Sequence, residues 1–199
     1  AINRVSNQEK LMIKKSDIVL ATSERLKEIL QKRYLDLVND KLFLVRNGYN
    51  GKLAENKPME PHKYFTFCYF GTISHWFNFD YLLKSLEEYA DIEYLLIGPI
   101  EGGTSVPKHD RIRYIPPIQH SELQDITKNA DAFIMPFCLN ELILSVDPVK
   151  LYEYLNFNKN ILCVYYPEIK RFSKFVYFYN DYETFIKQIS VMKQAKGVK

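Results

Sequence analysis

Short apolar runs alternate with amphipathic helical patterns along most of the chain. The apolar runs at residues 65–70, 93–97 and 132–135 have the length of buried strands, and a glycine or a proline follows each of them. Between these runs, apolar residues recur at the spacing of one helix face. Alternation of this kind is typical of a parallel sheet flanked by helices. We therefore predict an α/β fold with a Rossmann-like parallel sheet.

The alternation is interrupted once, over residues 49–62. This stretch has little periodicity and contains Pro58 and Pro61, which are typical of loops. We therefore predict a domain boundary here, between residues 1–58 and residues 59–199.

Each side of the boundary has its own set of predicted elements. The first part has strands at residues 17–21 and 42–45 with a helix at residues 23–32 between them. The second part has strands at residues 65–70, 93–97, 111–115, 132–135, 161–164 and 175–179. Its helices begin at residue 78 or 80 and run to 89, then at 121–129, at 147–155 and from 181 onward. The second part is thus a nearly regular succession of strands and helices, as a doubly wound sheet requires.

Charge and cysteine content exclude several classes of protein. The net charge is only +3, and because Lys and Arg are scattered among carboxylates, we expect no nucleic-acid partner. No apolar stretch approaches the ~20 residues needed to cross a bilayer. Cys68, Cys138 and Cys163 are far apart and lie in or beside apolar runs, which favours reduced, buried thiols in a cytoplasmic protein. The chain begins without Met and enters a helical pattern at once, so we expect a fragment of a longer protein.

The start of one predicted helix combines several features of an anion site. Asp147 is a suitable N-cap, and Pro148 suits the first helical position. The helix N-terminus carries a partial positive charge and free backbone N–H groups. Lys150 and Glu153 are three residues apart and project from one face, which would provide a cation for phosphate and a carboxylate for sugar hydroxyls. The alternative interpretation is an ordinary capped helix with a surface ion pair.

Three predicted strand ends carry loops that could meet at one site. They are residues 71–76, 98–103 and 137–150. Because the carboxyl ends of parallel strands meet at one edge of a sheet, we expect these loops to converge on a ligand. Gly71 and Thr72 stand where a backbone could approach a phosphate closely, although a simple strand-to-helix turn would use the same residues.

The order of these motifs resembles that of the GT-B glycosyltransferases, in the large retaining family that uses nucleotide-sugar donors. The resemblance implies that residues 1–58 are the C-terminal remnant of an N-terminal acceptor domain and that residues 59–199 are the donor-binding domain. The resemblance extends over nearly the whole chain. The segments that carry it are residues 16–24, 44–50, 70–74, 95–99, 147–155 and 159–162.

The resemblance also implies roles for individual residues. Lys150 would neutralise the donor diphosphate as negative charge develops on it, and Glu153 would accept hydrogen bonds from the ribose hydroxyls. Asn140 and Glu141 would contact the sugar or the phosphates, with Glu141 joining Lys150 as a catalytic residue; a loop cap is the alternative. The backbone at Pro117 and Ile118 would face the base, unless these residues form only a proline-rich turn.

Two departures from the family pattern concern the same site. The family's Glu-(any seven)-Glu motif would place its first Glu at Ser145. The Arg and Lys that bind the diphosphate in the family are also absent. Phosphate binding would therefore depend on backbone N–H groups and on Lys150.

The implied activity is sugar transfer, with retention, from a nucleoside diphosphate-sugar such as a UDP-sugar. The acceptor would be a glycan or a lipid-linked glycan bound by the missing N-terminal domain, with peripheral membrane association if it is lipid-linked. No Asp-any-Asp motif is present, so we predict no metal and no cofactor other than the sugar nucleotide. The alternatives are a nucleotide-sugar epimerase on the same scaffold and a non-catalytic α/β binding module that has lost its donor site.

Overall fold

The computed structural model describes residues 2–51, 54 and 59–197. Residue 58, where we predict the domain boundary, lies outside these described residues. The helices are α1 (Ile2–Lys15), α2 (Glu24–Val38), α3 (Phe79–Glu88), α4 (Leu123–Thr127), α5 (Glu141–Leu144), α6 (Val149–Asn156) and α7 (Tyr182–Gly197). The strands are β1 (Val19–Ala21), β2 (Leu42–Leu44), β3 (Phe65–Phe70), β4 (Ile92–Ile97), β5 (Ile112–Ile115), β6 (Ala132–Met135), β7 (Asn160–Val164) and β8 (Val176–Tyr179).

Six strands form one parallel sheet in the order β5-β4-β3-β6-β7-β8. The chain enters the sheet at β3, moves outward through β4 to β5, and returns to the other side of β3 to form β6. The strand order therefore reverses between β3 and β6, and in sheets of this type ligands bind outside the carboxyl ends of the strands at that point. The predicted α/β fold with a Rossmann-like parallel sheet is confirmed.

The six-stranded sheet is covered on both faces. All six residues of β3 are buried, and successive side chains of a strand point to opposite faces. The Phe67 ring stacks with Tyr94 at 5.7 Å between centroids, and the Tyr94 hydroxyl lies 2.7 Å from Ser85 Oγ of α3. On the other face, Phe70 packs against Tyr154 of α6 at 4.7 Å. Burial on both faces explains why β3 is an almost continuous apolar run rather than an alternating one.

The strands β1 and β2 form a separate two-stranded parallel sheet. Its inner face packs on α1 and α2 and forms a small core of Ile13, Ala21, Leu30, Tyr34, Val38 and Leu42. On the outer face, Leu20 and Phe43 are 57% and 51% exposed. The described helices therefore cover only one face of this small sheet.

Several element boundaries differ from the prediction. Helix α2 runs to Val38 rather than to residue 32, and it passes through a kink at Tyr34, whose hydroxyl donates to Glu9 Oε2 at 2.6 Å. A short 3₁₀ helix, His120–Glu122, precedes α4 and accounts for part of the helix predicted at 121–129. Helix α5 lies inside a connection for which the sequence predicts no element. These differences concern short or bent elements, in which local pattern is weakest.

The three cysteines are free thiols, as expected, but they are not all buried. Cys68 and Cys163 are buried, and burial raises the pKa of both thiols. Cys138 is exposed, because it lies in the loop after β6 rather than inside a strand. None of the described helices combines the length and the apolar character needed to span a bilayer.

Candidate functional site

Two glycines close the ends of β3 and β4 against each other. Gly71 N–H donates to Ile97 O at 2.9 Å, and Gly98 N–H donates to Ile115 O at 3.0 Å. Gly71 has φ +149° and Gly98 has φ +133°, which is a backbone region that favours glycine. A Cβ atom on Gly98 would lie 2.3 Å from Gly71 O. The two strand ends can therefore approach so closely only because residue 98 has no side chain.

The backbone N–H of Thr72, in the turn after β3, has no acceptor among the described residues. Gly71 N–H and Ile73 N–H donate to Ile97 O and Pro99 O, while Thr72 O accepts from the Tyr69 hydroxyl at 2.7 Å. Within the described chain, Thr72 N–H makes no hydrogen bond. Thr72 thus offers a backbone donor beside Gly71, at the carboxyl edge of the sheet.

Helix α6 is fastened to the end of β3 by one tyrosine. The Tyr154 hydroxyl accepts from Phe70 N–H at 3.1 Å and donates to Phe70 O at 3.2 Å. Its ring stacks on Phe133 of β6 at 4.5 Å between centroids. Burial raises the pKa of Tyr154 well above its ordinary value, so the hydroxyl keeps its proton for this bond. The helix is therefore held at the point where the strand order reverses.

One turn before Tyr154, Lys150 lies directly against Gly71. A Cβ atom on Gly71 would be 2.9 Å from Lys150 Cε, and Lys150 Nζ lies 4.9 Å from the centre of the Phe70 ring. Lys150 Nζ is also 2.8 Å from Glu153 Oε2. Gly71, Lys150 and Glu153 thus come together at one edge of the sheet, as the sequence predicts.

The carboxylate of Glu153 is largely withdrawn from solvent, with 17% of its side chain exposed. Its Oε2 atom is buried, and no donor in the described structure meets the angular requirements of a hydrogen bond to it. The contact with Lys150 is therefore an ion pair that leaves a hydrogen-bond position open.

His120 joins the same group of side chains, although sequence reasoning gave it no role. Its Nε2 lies 3.7 Å from Glu153 Oε1. His120 follows the exposed Pro117 and the partly buried Ile118 in the loop after β5. Its position beyond a strand end was a usable signal, since all strand ends of a parallel sheet meet at one edge.

Asn140 and Glu141 begin the short helix α5. Asn140 Oδ1 accepts from Ile143 N–H at 2.9 Å and thereby caps that helix. Glu141 is 80% exposed and pairs with Arg25 of α2 at 2.6 Å. In the described structure, the side chains of these two residues therefore contact α5 and α2 rather than Lys150 or Glu153.

The predicted role of Asp147 as the N-cap of α6 is wrong. Pro148 occupies the N-cap position without a side-chain cap, and Val149 is the first helical residue. Asp147 instead accepts from Asn47 N–H at 2.8 Å and from the Tyr152 hydroxyl at 3.1 Å, and it pairs with Arg171. Tertiary partners therefore take the carboxylate that local sequence would assign to the helix end.

Metal-ligating residues do not cluster in the described part of the chain. No group of three or more His, Cys, Asp or Glu side chains there is placed to hold a metal ion.

Comparison with known proteins places this architecture among solved structures. No family model matches the sequence, and no curated protein matches it. The chain is similar to the apo form of lipopolysaccharide outer core galactosyltransferase WaaB, with a TM-score of 0.63 and 16% identity over 91% of this chain and 54% of that one. It is also similar to Anabaena Alr3699/HepE in complex with UDP and glucose, with a TM-score of 0.60 and 11% identity over 90% of this chain and 53% of that one.

A third similar structure is the catalytic domain of Starch Synthase IV from Arabidopsis thaliana bound to ADP and acarbose. The TM-score is 0.64, with 9% identity over 93% of this chain and 50% of that one. Identities this low show the fold alone, and that fold is the one seen in GT-B glycosyltransferases. The chain spans about half the length of these structures.

Proposed function

We propose that this chain is the donor-binding half of a glycosyltransferase and that it holds a nucleoside diphosphate-sugar at the carboxyl edge of its six-stranded sheet. The observation that carries the proposal is the meeting of Gly71, Lys150 and Glu153 at the point where the strand order reverses. Nucleotides bind at this position in open α/β sheets. The bound UDP and ADP named for two structures of the same fold support this assignment.

The diphosphate is assigned to the space between the turn after β3 and the first turn of α6. Thr72 N–H supplies a backbone donor there, and the first turn of α6 has no side-chain cap, with Leu151 N–H donating to Pro148 O at 3.0 Å. Lys150 supplies the positive charge that stabilises the departing diphosphate. The ion pair with Glu153 already holds the Lys150 ammonium in place. When the donor binds, this ammonium turns toward the phosphate.

The sugar-nucleoside part is assigned to the residues around Glu153. Its carboxylate, whose side chain is 17% exposed, accepts a hydrogen bond from a ribose hydroxyl. The backbone at Pro117 and Ile118 faces the base, since the loop that contains them reaches Glu153 through His120. By their resemblance to the family, Asn140 and Glu141 contact the transferred sugar.

Transfer proceeds with retention of configuration to a glycan or lipid-linked glycan, without a metal or a further cofactor. The acceptor belongs to a domain that completes the small sheet of β1 and β2. The outer face of that sheet, with Leu20 and Phe43, supports this part of the proposal, because parallel sheets are normally covered on both faces.

Calorimetry of the 199-residue chain with UDP, GDP and ADP tests the proposal. We expect one of the three to bind and Lys150→Ala to weaken that binding about 10-fold, or about 1.4 kcal/mol. The matched control is Lys187→Ala on the exposed side of α7, which should leave the affinity unchanged. In a second pair, Glu153→Gln should weaken nucleotide binding, and its control Glu183→Gln on α7 should leave the affinity unchanged. Failure of all three nucleotides to bind would overturn the proposal.

A further inference from the structure

Two buried carboxylates and one arginine form a polar cluster behind α6. The side chains of Asp147 and Glu168 are 0% and 2% exposed. Arg171 pairs with both of them, through Nη2 to Asp147 and through Nη1 to Glu168 Oε1 at 3.1 Å. Arg46 adds a second guanidinium, with its Nε 3.1 Å from Glu168 Oε1. The cluster is therefore close to neutral, as buried charges require.

Each carboxylate also accepts a backbone N–H from the part of the chain that precedes the linker. Asn47 N–H donates to Asp147 Oδ2 at 2.8 Å, and Glu24 N–H donates to Glu168 Oε2 at 2.9 Å. The Asn47 side chain donates in addition to Asp147 O at 2.7 Å. These contacts join residues about 100 or more positions apart, so they exist only when residues 16–50 are docked. We call Glu24, Arg46, Asn47, Asp147, Glu168 and Arg171 the clamp.

The clamp is connected to α6 at two points. Asp147 lies two residues before Val149, the first residue of the helix. One turn later, the Tyr152 hydroxyl lies 3.1 Å from Asp147 Oδ2 and 2.8 Å from Arg171 Nη2. Lys150 therefore lies between two residues that the clamp holds, and Glu153 follows the second of them directly.

Opening the clamp would leave charged groups buried without their partners. If residues 16–50 moved away, Asp147 and Glu168 would each lose a backbone donor, and Glu168 would lose Arg46 as well. Unpartnered buried carboxylates are costly, so the loops that carry them would rearrange. Burial alone would lower the pKa of Arg171, but hydrogen bonds with Tyr152 and Asp147 raise it above its ordinary value.

We propose that Arg171 and Asp147 are positioning residues that couple the docking of residues 16–50 to the placement of Lys150 and Glu153. Coupling of this kind is reciprocal: docking strengthens nucleotide binding, and nucleotide binding strengthens docking. The second half of this statement rests on the proposed function, whereas the first concerns only the contacts of the clamp.

Amide hydrogen exchange, followed by NMR at Glu24 and Asn47, measures directly how often the hydrogen bonds of the clamp open. We expect Arg171→Gln to accelerate exchange at both amides about 10-fold, with Arg171→Lys restoring part of the protection. The matched control is Lys170→Gln, because Lys170 is the exposed neighbour of Arg171 in the 3₁₀ helix Pro167–Phe172. Unchanged exchange in Arg171→Gln would overturn the clamp. Far-UV circular dichroism checks the fold, and Asp147→Asn provides a second variant if Arg171→Gln does not fold.

Nucleotide affinity, measured on the same variants with UDP, GDP and ADP, tests whether the clamp affects the placement of Lys150 and Glu153 on α6. We expect Arg171→Gln to lower the affinity for the nucleotide that binds by about 5- to 20-fold. We also expect saturating nucleotide to slow amide exchange at Asn47 and Glu24 in the unmodified chain. Faster exchange without a loss of affinity would overturn the positioning role. If the unmodified chain binds no nucleotide, the proposed function falls, and the exchange rates of the variants still decide whether the clamp exists.

Discussion

The two parallel sheets of this molecule differ in how completely they are covered. The six-stranded sheet has aromatic layers on both faces, with Phe67 packed toward α3 and Phe70 packed against α6. The two-stranded sheet has a core on one face, while Leu20 and Phe43 are exposed on the other. Since a parallel sheet is stable in water when both faces are covered, the larger sheet can support a site by itself. The smaller one has a core on one face only among the described residues.

The difference also separates two kinds of residue near the candidate site. Lys150 and Glu153 stand on a helix that the large sheet holds through Tyr154. Asn47 and Glu24 stand at the carboxyl ends of the small sheet, and their backbone N–H groups donate to Asp147 and Glu168. The contrast therefore predicts large effects of mutations in the first region and small effects on stability in the exposed face of the second.

The largest effect is expected for Gly98→Ala at the tip of the large sheet. The new Cβ would lie 2.3 Å from Gly71 O, in a backbone conformation of φ +133°. We expect a loss of about 3 kcal/mol or more in the free energy of unfolding, measured by urea denaturation. Gly103→Ala is the control, because Gly103 has φ +71° but nothing within 4 Å of its Cβ position, so it should cost about 1 kcal/mol. Equal losses would show that contact with Gly71 is unimportant.

A matched pair of leucines tests the comparison between the sheets. Leu96 in β4 is fully buried at 0% exposure, whereas Leu20 in β1 is 57% exposed. We expect Leu96→Ala to cost about 3 kcal/mol of stability and Leu20→Ala less than about 0.5 kcal/mol in the same thermal and urea unfolding experiments. A substantial cost at Leu20 would mean that the outer face of the small sheet is already covered in this chain.

A smaller loss of stability than at Gly98 or Leu96 is expected at the hydroxyl that fastens α6. Tyr154→Phe keeps the ring packing on Phe133 but removes the bonds to Phe70 N–H and Phe70 O. We expect a loss of about 1–2 kcal/mol, because a buried backbone donor and acceptor are left unpaired. Tyr177→Phe in β8 is the control, because its hydroxyl makes no hydrogen bond in the described structure. If the stability of Tyr154→Phe equals that of the control, the helix is held by packing alone.

The fold and part of the site were accessible to sequence reasoning for definable reasons. Buried strands give apolar runs, and the glycines at 71 and 98 mark strand ends because only glycine allows that close approach. Lys150 and Glu153 were predictable as neighbours because helical spacing places them on one face. His120 was missed because its place beyond the end of β5 shows only that it lies at the ligand edge, whereas its distance to Glu153 depends on how β5 and α6 are arranged in space.

The sequence by itself determined the strand and helix succession, the parallel sheet and the positions at which its strands end, because these depend on local periodicity and on the conformational freedom of single residues. Only the tertiary structure decided which groups Asp147 contacts. Its carboxylate does not cap α6 and instead contacts Asn47, Tyr152 and Arg171. The reason is that a buried carboxylate is stabilised by whichever donors the whole fold brings to it, and one of these donors lies 100 positions away along the chain.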